Sequence, residues 1–154
     1  MRPRSAYGVR PSFSAAAISL GNEAPASGVL EPFHAKMPMP VAVLGVRTAG
    51  GLLTGIAYLP RGVAALAPVN ALAARVCRQI ERYLDDPEFR FDLPFEFRGT
   101  AFQQRVWRAI GAIPCGATLT YLEVARQVGS APRPVGGACG ANRIPLVIPC
   151  HRVV

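Results

Sequence analysis

Lysine is almost missing from this chain. Lys36 is the only one, although lysine and arginine together number 17 among 154 residues. Nearly all the positive charge is therefore guanidinium, the group suited to bidentate phosphate contacts. Histidine is scarce, with only the distant His34 and His151, and the four cysteines (Cys77, Cys115, Cys139, Cys150) contain no Cys-x-x-Cys pair. That spacing argues against a zinc site, and a disulfide framework is not expected in a chain this long. The expectation is no metal, no cofactor, and a reducing cytoplasmic setting in which a thiol stays free. No apolar run approaches the roughly 20 residues a membrane-spanning helix needs, so a soluble protein with no membrane partner is expected. Acid is missing from one region in particular. From Arg98 onward seven arginines face the single Glu123, whereas from Glu31 to Phe97 seven basic and seven acidic residues cancel. Of the net +8 charge, +6 thus sits where a polyanion could be met, the alternative being a merely solvated basic face.

What is present suffices for a core: 51% hydrophobic residues, enough for one domain or two small ones sharing an interface. Residues 1–31 carry Arg2, Arg4 and Arg10 among small residues with no sustained period, and read as a flexible extension. Val41 to Arg47 and Leu52 to Leu59 are β-prone runs about Gly50-Gly51, which reads as a hairpin. From Asn70, a plausible N-cap, Leu72, Val76, Ile80 and Leu84 recur every fourth residue as an amphipathic helix ended by Asp85-Asp86-Pro87, with Cys77 beside the stripe as a packing residue. Phe89, Phe91, Leu93, Phe95 and Phe97 alternate with polar residues and Pro94, an edge segment or connector.

A second unit begins at Gly99. Thr100 to Gln103 and Thr120 to Glu123 are capping boxes. The first opens a helix with Phe102, Val106, Trp107 and Ile110, broken by Ile113-Pro-Cys-Gly116; the second opens a short helix with Leu122, Val124, Ala125 and Val128. After the Gly129 to Pro132 turn, Arg133 leads a small-residue segment through Gly136, Gly137, Ala138 and Gly140, completing a helix-turn-helix plan. Such glycines fit either close approach to a nucleic-acid backbone or tight helix packing. The fold class expected is α+β: an α/β first subdomain of hairpin plus helix with its connector (32–97), then a mainly α helix-turn-helix subdomain (98–154) carrying Cys150.

Ile148-Pro-Cys-His-Arg-Val153 joins a proline-fixed turn, a thiol, an imidazole and a guanidinium. A thiolate is the nucleophilic form of cysteine, and a neighbouring imidazole or positive charge favours it. Alone, the pair reads first as a buried structural cysteine beside a hydrogen-bonded histidine.

Taken together, Gly99-Thr-Ala-Phe-Gln-Gln-Arg-Val-Trp107, Ile113-Pro-Cys-Gly116, Thr120-Tyr121, Arg133, Ala138-Cys-Gly-Ala-Asn142 and Ile148-Pro-Cys-His-Arg-Val153 resemble the O6-alkylguanine-DNA alkyltransferases, also called methylated-DNA–protein-cysteine methyltransferases. The resemblance covers about residues 34–154 and is densest from Gly99. It implies single-turnover DNA repair on a duplex containing O6-alkylguanine, with O4-alkylthymine a candidate second substrate, by a monomer that flips the base out of the stack. By position it implies that Cys150 accepts the alkyl group, His151 deprotonates it through a water, Tyr121 assists flipping and protonates the leaving guanine, and Asn142 braces the loop. Arg133, Tyr121, Gly136, Gly137 and Ala138 would face DNA; Pro145, Pro149 and Val153 would line the alkyl pocket; Arg152 would be an internal partner or a family signature residue with a structural role.

Family members continue beyond Pro-Cys-His-Arg-Val into a glycine-rich pocket loop, a glutamate paired with the histidine, and a last helix, whereas this sequence stops at Val154. A C-terminally truncated protein or fragment with sharply reduced or no repair activity is expected on that ground. Two rival readings are a same-fold protein that binds alkylated DNA without reacting, and a helix-turn-helix regulator with a structural Cys150.

Overall fold

A computed structural model describes residues 32–154; the extension expected over residues 1–31 lies outside the described residues. Three strands, β1 (Ala35–Pro38), β2 (Val43–Ala49) and β3 (Leu52–Leu59), form an antiparallel sheet in the order β1-β2-β3. Gly50 and Gly51 turn the hairpin with φ of 56° and 75°, both positive as a two-residue turn between twisted strands requires. The hairpin is where the sequence placed it, although β2 starts at Val43 and Val41 is exposed. The addition is β1, a four-residue edge strand ending in proline that pairs Ala35 with Val46 and Met37 with Leu44.

Helix α1 (Ala71–Asp85) is capped by Asn70, whose side-chain oxygen accepts the Ala73 N–H at 2.8 Å while its amide donates to Thr48 Oγ1 at 2.9 Å. One residue thus starts the helix and ties it to the sheet. Ala73, Val76, Cys77 and Ile80 are buried, but Leu84, the last member of the expected stripe, is half exposed because the helix has run past the sheet it covers. The phenylalanine-rich connector docks beside β3: the Leu53 N–H donates to the Pro94 carbonyl and Leu53 bridges Phe95 in parallel sense.

Helices α2 (Ala101–Gly111) and α3 (Tyr121–Val128) both carry complete capping boxes, Thr100 with Gln103 and Thr120 with Glu123. Gly129 closes α3 at φ 68°, and α4 (Pro132–Gly140) follows after two residues with proline at its first position. Proline lacks an N–H, and at this position none is needed. Val106, Trp107, Ile110, Val124, Ala125, Val135 and Ala138 converge between the three helices; removing an aliphatic side chain of this kind from water contributes roughly 1.5–3 kcal/mol. Leu122, expected in the α3 stripe, is instead 45% exposed, because the buried face of this eight-residue helix is narrow. One continuous core runs from Ala35 in β1 to Val153. Among the described residues no helix is long and apolar enough to cross a membrane, and no cluster of three or more His, Cys, Asp or Glu could hold a metal ion.

Candidate active site and nucleic-acid face

The loop from Asn142 to Pro149 is organised by Asn142. Its side-chain oxygen accepts the Ile144 N–H and its amide donates to the Ile148 carbonyl, both at 3.0 Å, so one side chain spans the loop. Within that span Leu146 has φ 72°, a left-handed conformation costly for a residue with a branched side chain. Strain of this sort persists only where surrounding bonds hold it. The Ile148 carbonyl also accepts the Cys150 N–H at 2.8 Å, and Cys150–Arg152 then form a single 3₁₀ turn.

Two further attachments fix this turn. Leu119 and Val153 form a parallel bridge, with the Leu119 N–H donating to the Arg152 carbonyl and the Tyr121 N–H to the Val154 carbonyl. The strand carrying the thiol therefore abuts the start of α3. Across the loop, the Ile56 N–H of β3 donates to the Arg143 carbonyl at 2.8 Å, which docks the loop on the outer sheet edge.

Cys150 is partly exposed, and its neighbour His151 is exposed. Burial on one side, and then the adjacent Arg152 charge, hold the His151 ring below the usual histidine pKa, which keeps it neutral and able to accept a proton near pH 7. The Cys139 thiol of α4 is pushed up, first by burial and then by its proximity to Cys150. Tyr58 of β3 is pushed up by burial, by Cys150 and by Tyr83. The thiol is thus approached from both halves of the molecule.

Arg133 is exposed at the second position of α4, and Tyr121 is 37% exposed at the first position of α3. Gly137 is exposed, and a Cβ there would meet nothing within 4 Å; one at Gly136 would lie 3.9 Å from the Tyr121 ring. Ala138 departs from the expected DNA-facing set. It is 2% exposed, and its carbonyl accepts the Trp107 indole N–H at 2.8 Å, so it joins α4 to α2. Pro145 is partly exposed, but Pro149 and Val153 are buried, Val153 within the common core. Two clefts lie elsewhere. One of about 20 Å³ sits between β3, the connector and Asn142–Ile144; one of about 450 Å³ sits between β1, residues 65–68 and α1. Tyr58 and Tyr83 escaped the sequence reading, for nothing in their local pattern signals a thiol more than 60 residues away.

The described residues define an α+β protein in which a helix-turn-helix unit is fused to an asparagine-braced cysteine–histidine turn. Residues 101–154 match the sequence family described as 6-O-methylguanine DNA methyltransferase, DNA binding domain. The methylated-DNA–protein-cysteine methyltransferase of Mycobacterium leprae is 38% identical over 125 residues, which cover 77% of this chain and 75% of that protein. The regulatory protein Ada of Salmonella typhimurium is 46% identical over 89 residues, and the chain spans only about a quarter of its length, 25%. The crystal structure of Mycobacterium tuberculosis OGT in complex with DNA superposes with a TM-score of 0.67 at 35% identity, covering 77% of this chain and 76% of that one. The chain belongs to the methylated-DNA–protein-cysteine methyltransferase family.

Proposed function

We propose that this protein repairs duplex DNA by moving the alkyl group of O6-alkylguanine irreversibly onto Cys150. The observation that carries the reading is the Cys150–His151 pair on a single turn attached to the start of helix α3. The alkyl carbon is inaccessible inside the base stack, so the nucleotide has to rotate out. Arg133, exposed at the start of α4, is suited to fill the vacated space with its planar guanidinium. Gly137 leaves the backbone of α4 open to close approach, and Gly136 lies beside the Tyr121 ring.

In the chemical step His151 takes the Cys150 proton through a water, the thiolate sulfur bonds to the alkyl carbon, and the bond from that carbon to guanine O6 breaks. The released electron pair stays on guanine, which receives a proton from Tyr121. Asn142 holds the loop through both bonds, and Pro145 borders the alkyl group. The product thioether does not hydrolyse, so a molecule acts once. The protein works as a monomer on double-stranded DNA, in a compartment reducing enough to keep its four cysteines free.

The test is to incubate the protein with a duplex carrying O6-methylguanine and weigh it intact. The expected result is a gain of one methyl group on the Cys150 peptide, absent in Cys150→Ala. Lesion-selective binding without mass gain would leave only a non-reacting reader of alkylated DNA, and absence of lesion preference would leave a helix-turn-helix regulator. Affinity is expected to fall steeply with salt as phosphate contacts release counterions.

A further inference from the structure

Arg152 sits two residues beyond Cys150 and is partly buried. Its Nη1 donates to the Ile113 carbonyl at 2.7 Å, in the turn that ends α2. Its Nη2 reaches the Tyr83 hydroxyl of α1 at 3.5 Å, a long bond joining residues 69 apart in sequence. Tyr83 is itself held, its ring packing at 5.2 Å from that of Phe91 in the connector. The guanidinium of the nucleophile turn is therefore gripped by the helix-turn-helix half on one side and by the first subdomain on the other.

We propose that Tyr83 is a positioning residue for the alkyl-transfer site: its hydroxyl, with the Ile113 carbonyl, fixes the Arg152 guanidinium and thereby the stance of the Cys150–His151 turn. This rests on the alkyltransferase reading for its purpose, but not for its geometry. Where the Arg152 charge stands is decided by what its guanidinium bonds to and packs against. The backbone contributes too, since the Arg152 carbonyl accepts from Leu119 and its N–H donates to Pro149. Displacing the side chain loosens a turn of three residues that has no side-chain cap of its own.

Helix α2 packs on this turn and offers it the Ile113 carbonyl that follows its end; the other groups near it come from several elements. Tyr83 lies on α1, Tyr58 on β3 and Cys139 on α4, while Cys150 and His151 share the turn with Arg152. Of these, His151 is held low first by burial and then by Arg152, and it is this second contribution that depends on where the cation stands. Freeing Arg152 into solvent screens that repulsion and lets the imidazole protonate at higher pH. The base that serves Cys150 is then switched off earlier as pH falls.

Tyr83→Phe is the discriminating variant, because it keeps the ring that packs on Phe91 and deletes only the hydroxyl. Two readouts are taken on the full chain. The first is the single-turnover rate of methyl transfer from an O6-methylguanine duplex, with lesion affinity measured separately in a Cys150→Ser background. The second is the titration of the His151 ring followed by NMR, which needs no DNA. The expected result is a transfer rate about 2- to 3-fold lower, as for loss of a long, weak hydrogen bond. Lesion affinity stays unchanged, and the His151 titration moves to higher pH. Arg152→Met moves that titration in the same direction and further, while Leu84→Ala, on the exposed side of the same turn of α1, moves neither readout. An unmoved titration in Tyr83→Phe overturns the proposal, as does a rate loss matched by an equal loss of lesion affinity. If the unaltered protein transfers no methyl group, the alkyltransferase reading fails and the His151 titration still decides the role of Tyr83.

Discussion

The indole N–H of Trp107 and the backbone carbonyl of Ala138 meet at 2.8 Å inside the helical half of the molecule, with Trp107 3% and Ala138 2% exposed. This bond joins α2 to α4, and it aims the face of α4 that carries Arg133 and Gly137. Trp107→Phe keeps a large apolar ring and removes the donor. The Ala138 carbonyl is then buried without that partner, which costs about 1–3 kcal/mol. Urea denaturation monitored by circular dichroism measures this, and a variant as stable as the parent would show that another donor replaces the indole.

Asn142 makes two bonds across the nucleophile loop and offsets the left-handed backbone at Leu146. Asn142→Ala removes both, for an expected loss of about 1–3 kcal/mol in unfolding free energy. Methyl transfer to Cys150 is expected to slow more than stability alone explains, because the loop relaxes while the helices stay folded. Equal transfer rates at a temperature where both proteins are fully native would contradict the bracing role.

Gly137 gives opposite signs for stability and binding. A side chain there meets open space in the free protein, and a helix interior gains about 0.5–1 kcal/mol when glycine is replaced by a better helix former. Gly137→Gln should therefore raise the thermal midpoint while lowering affinity for duplex DNA. Calorimetry and fluorescence anisotropy on the same preparation decide it: unchanged affinity would remove this face of α4 from the interface.

His151 sets a pH signature. Its ring protonates below the ordinary value of 6.5, through burial first and Arg152 second. As pH falls, the unfolded chain takes up this proton before the folded one. The stabilising contribution is thus complete above 6.5 and is lost as pH drops through the lower folded value. Denaturation midpoints collected from about pH 8 to about pH 5 should fall less steeply in His151→Gln than in the parent, since histidine is the side chain that titrates in this range. Parallel curves would refute the assignment.

Much of this was legible locally. Asn70, Thr100 with Gln103, and Thr120 with Glu123 announce helix starts because capping is a contact among residues within four positions. The Gly50-Gly51 turn and the Pro149-Cys150-His151 sequence are equally local. Strand β1 was not, because four residues ending in proline carry no period and become a strand only when β2 offers its edge. Leu84 and Leu122 satisfy a helical stripe yet remain exposed, since the partner surface decides where a buried face stops. Ala138 illustrates the same limit. Its small side chain suited a DNA-facing helix, but the side turned inward was chosen by Trp107, 31 residues earlier. The Tyr83–Arg152 contact lay beyond any pattern, since it exists only after the two halves have met.

That last contact bears on the order of assembly. The hairpin and α1 close short loops, and the capping boxes nucleate α2 and α3 from their own sequence. The bonds from Arg152 to Tyr83, 69 residues back, and from Ile56 to Arg143 each enclose a long stretch of chain. Loop-closure entropy makes such pairings slow relative to local ones. A refolding experiment should therefore find native helical ellipticity developing before Cys150 acquires its native reactivity: the thiol enters its working environment in the closing phase of folding.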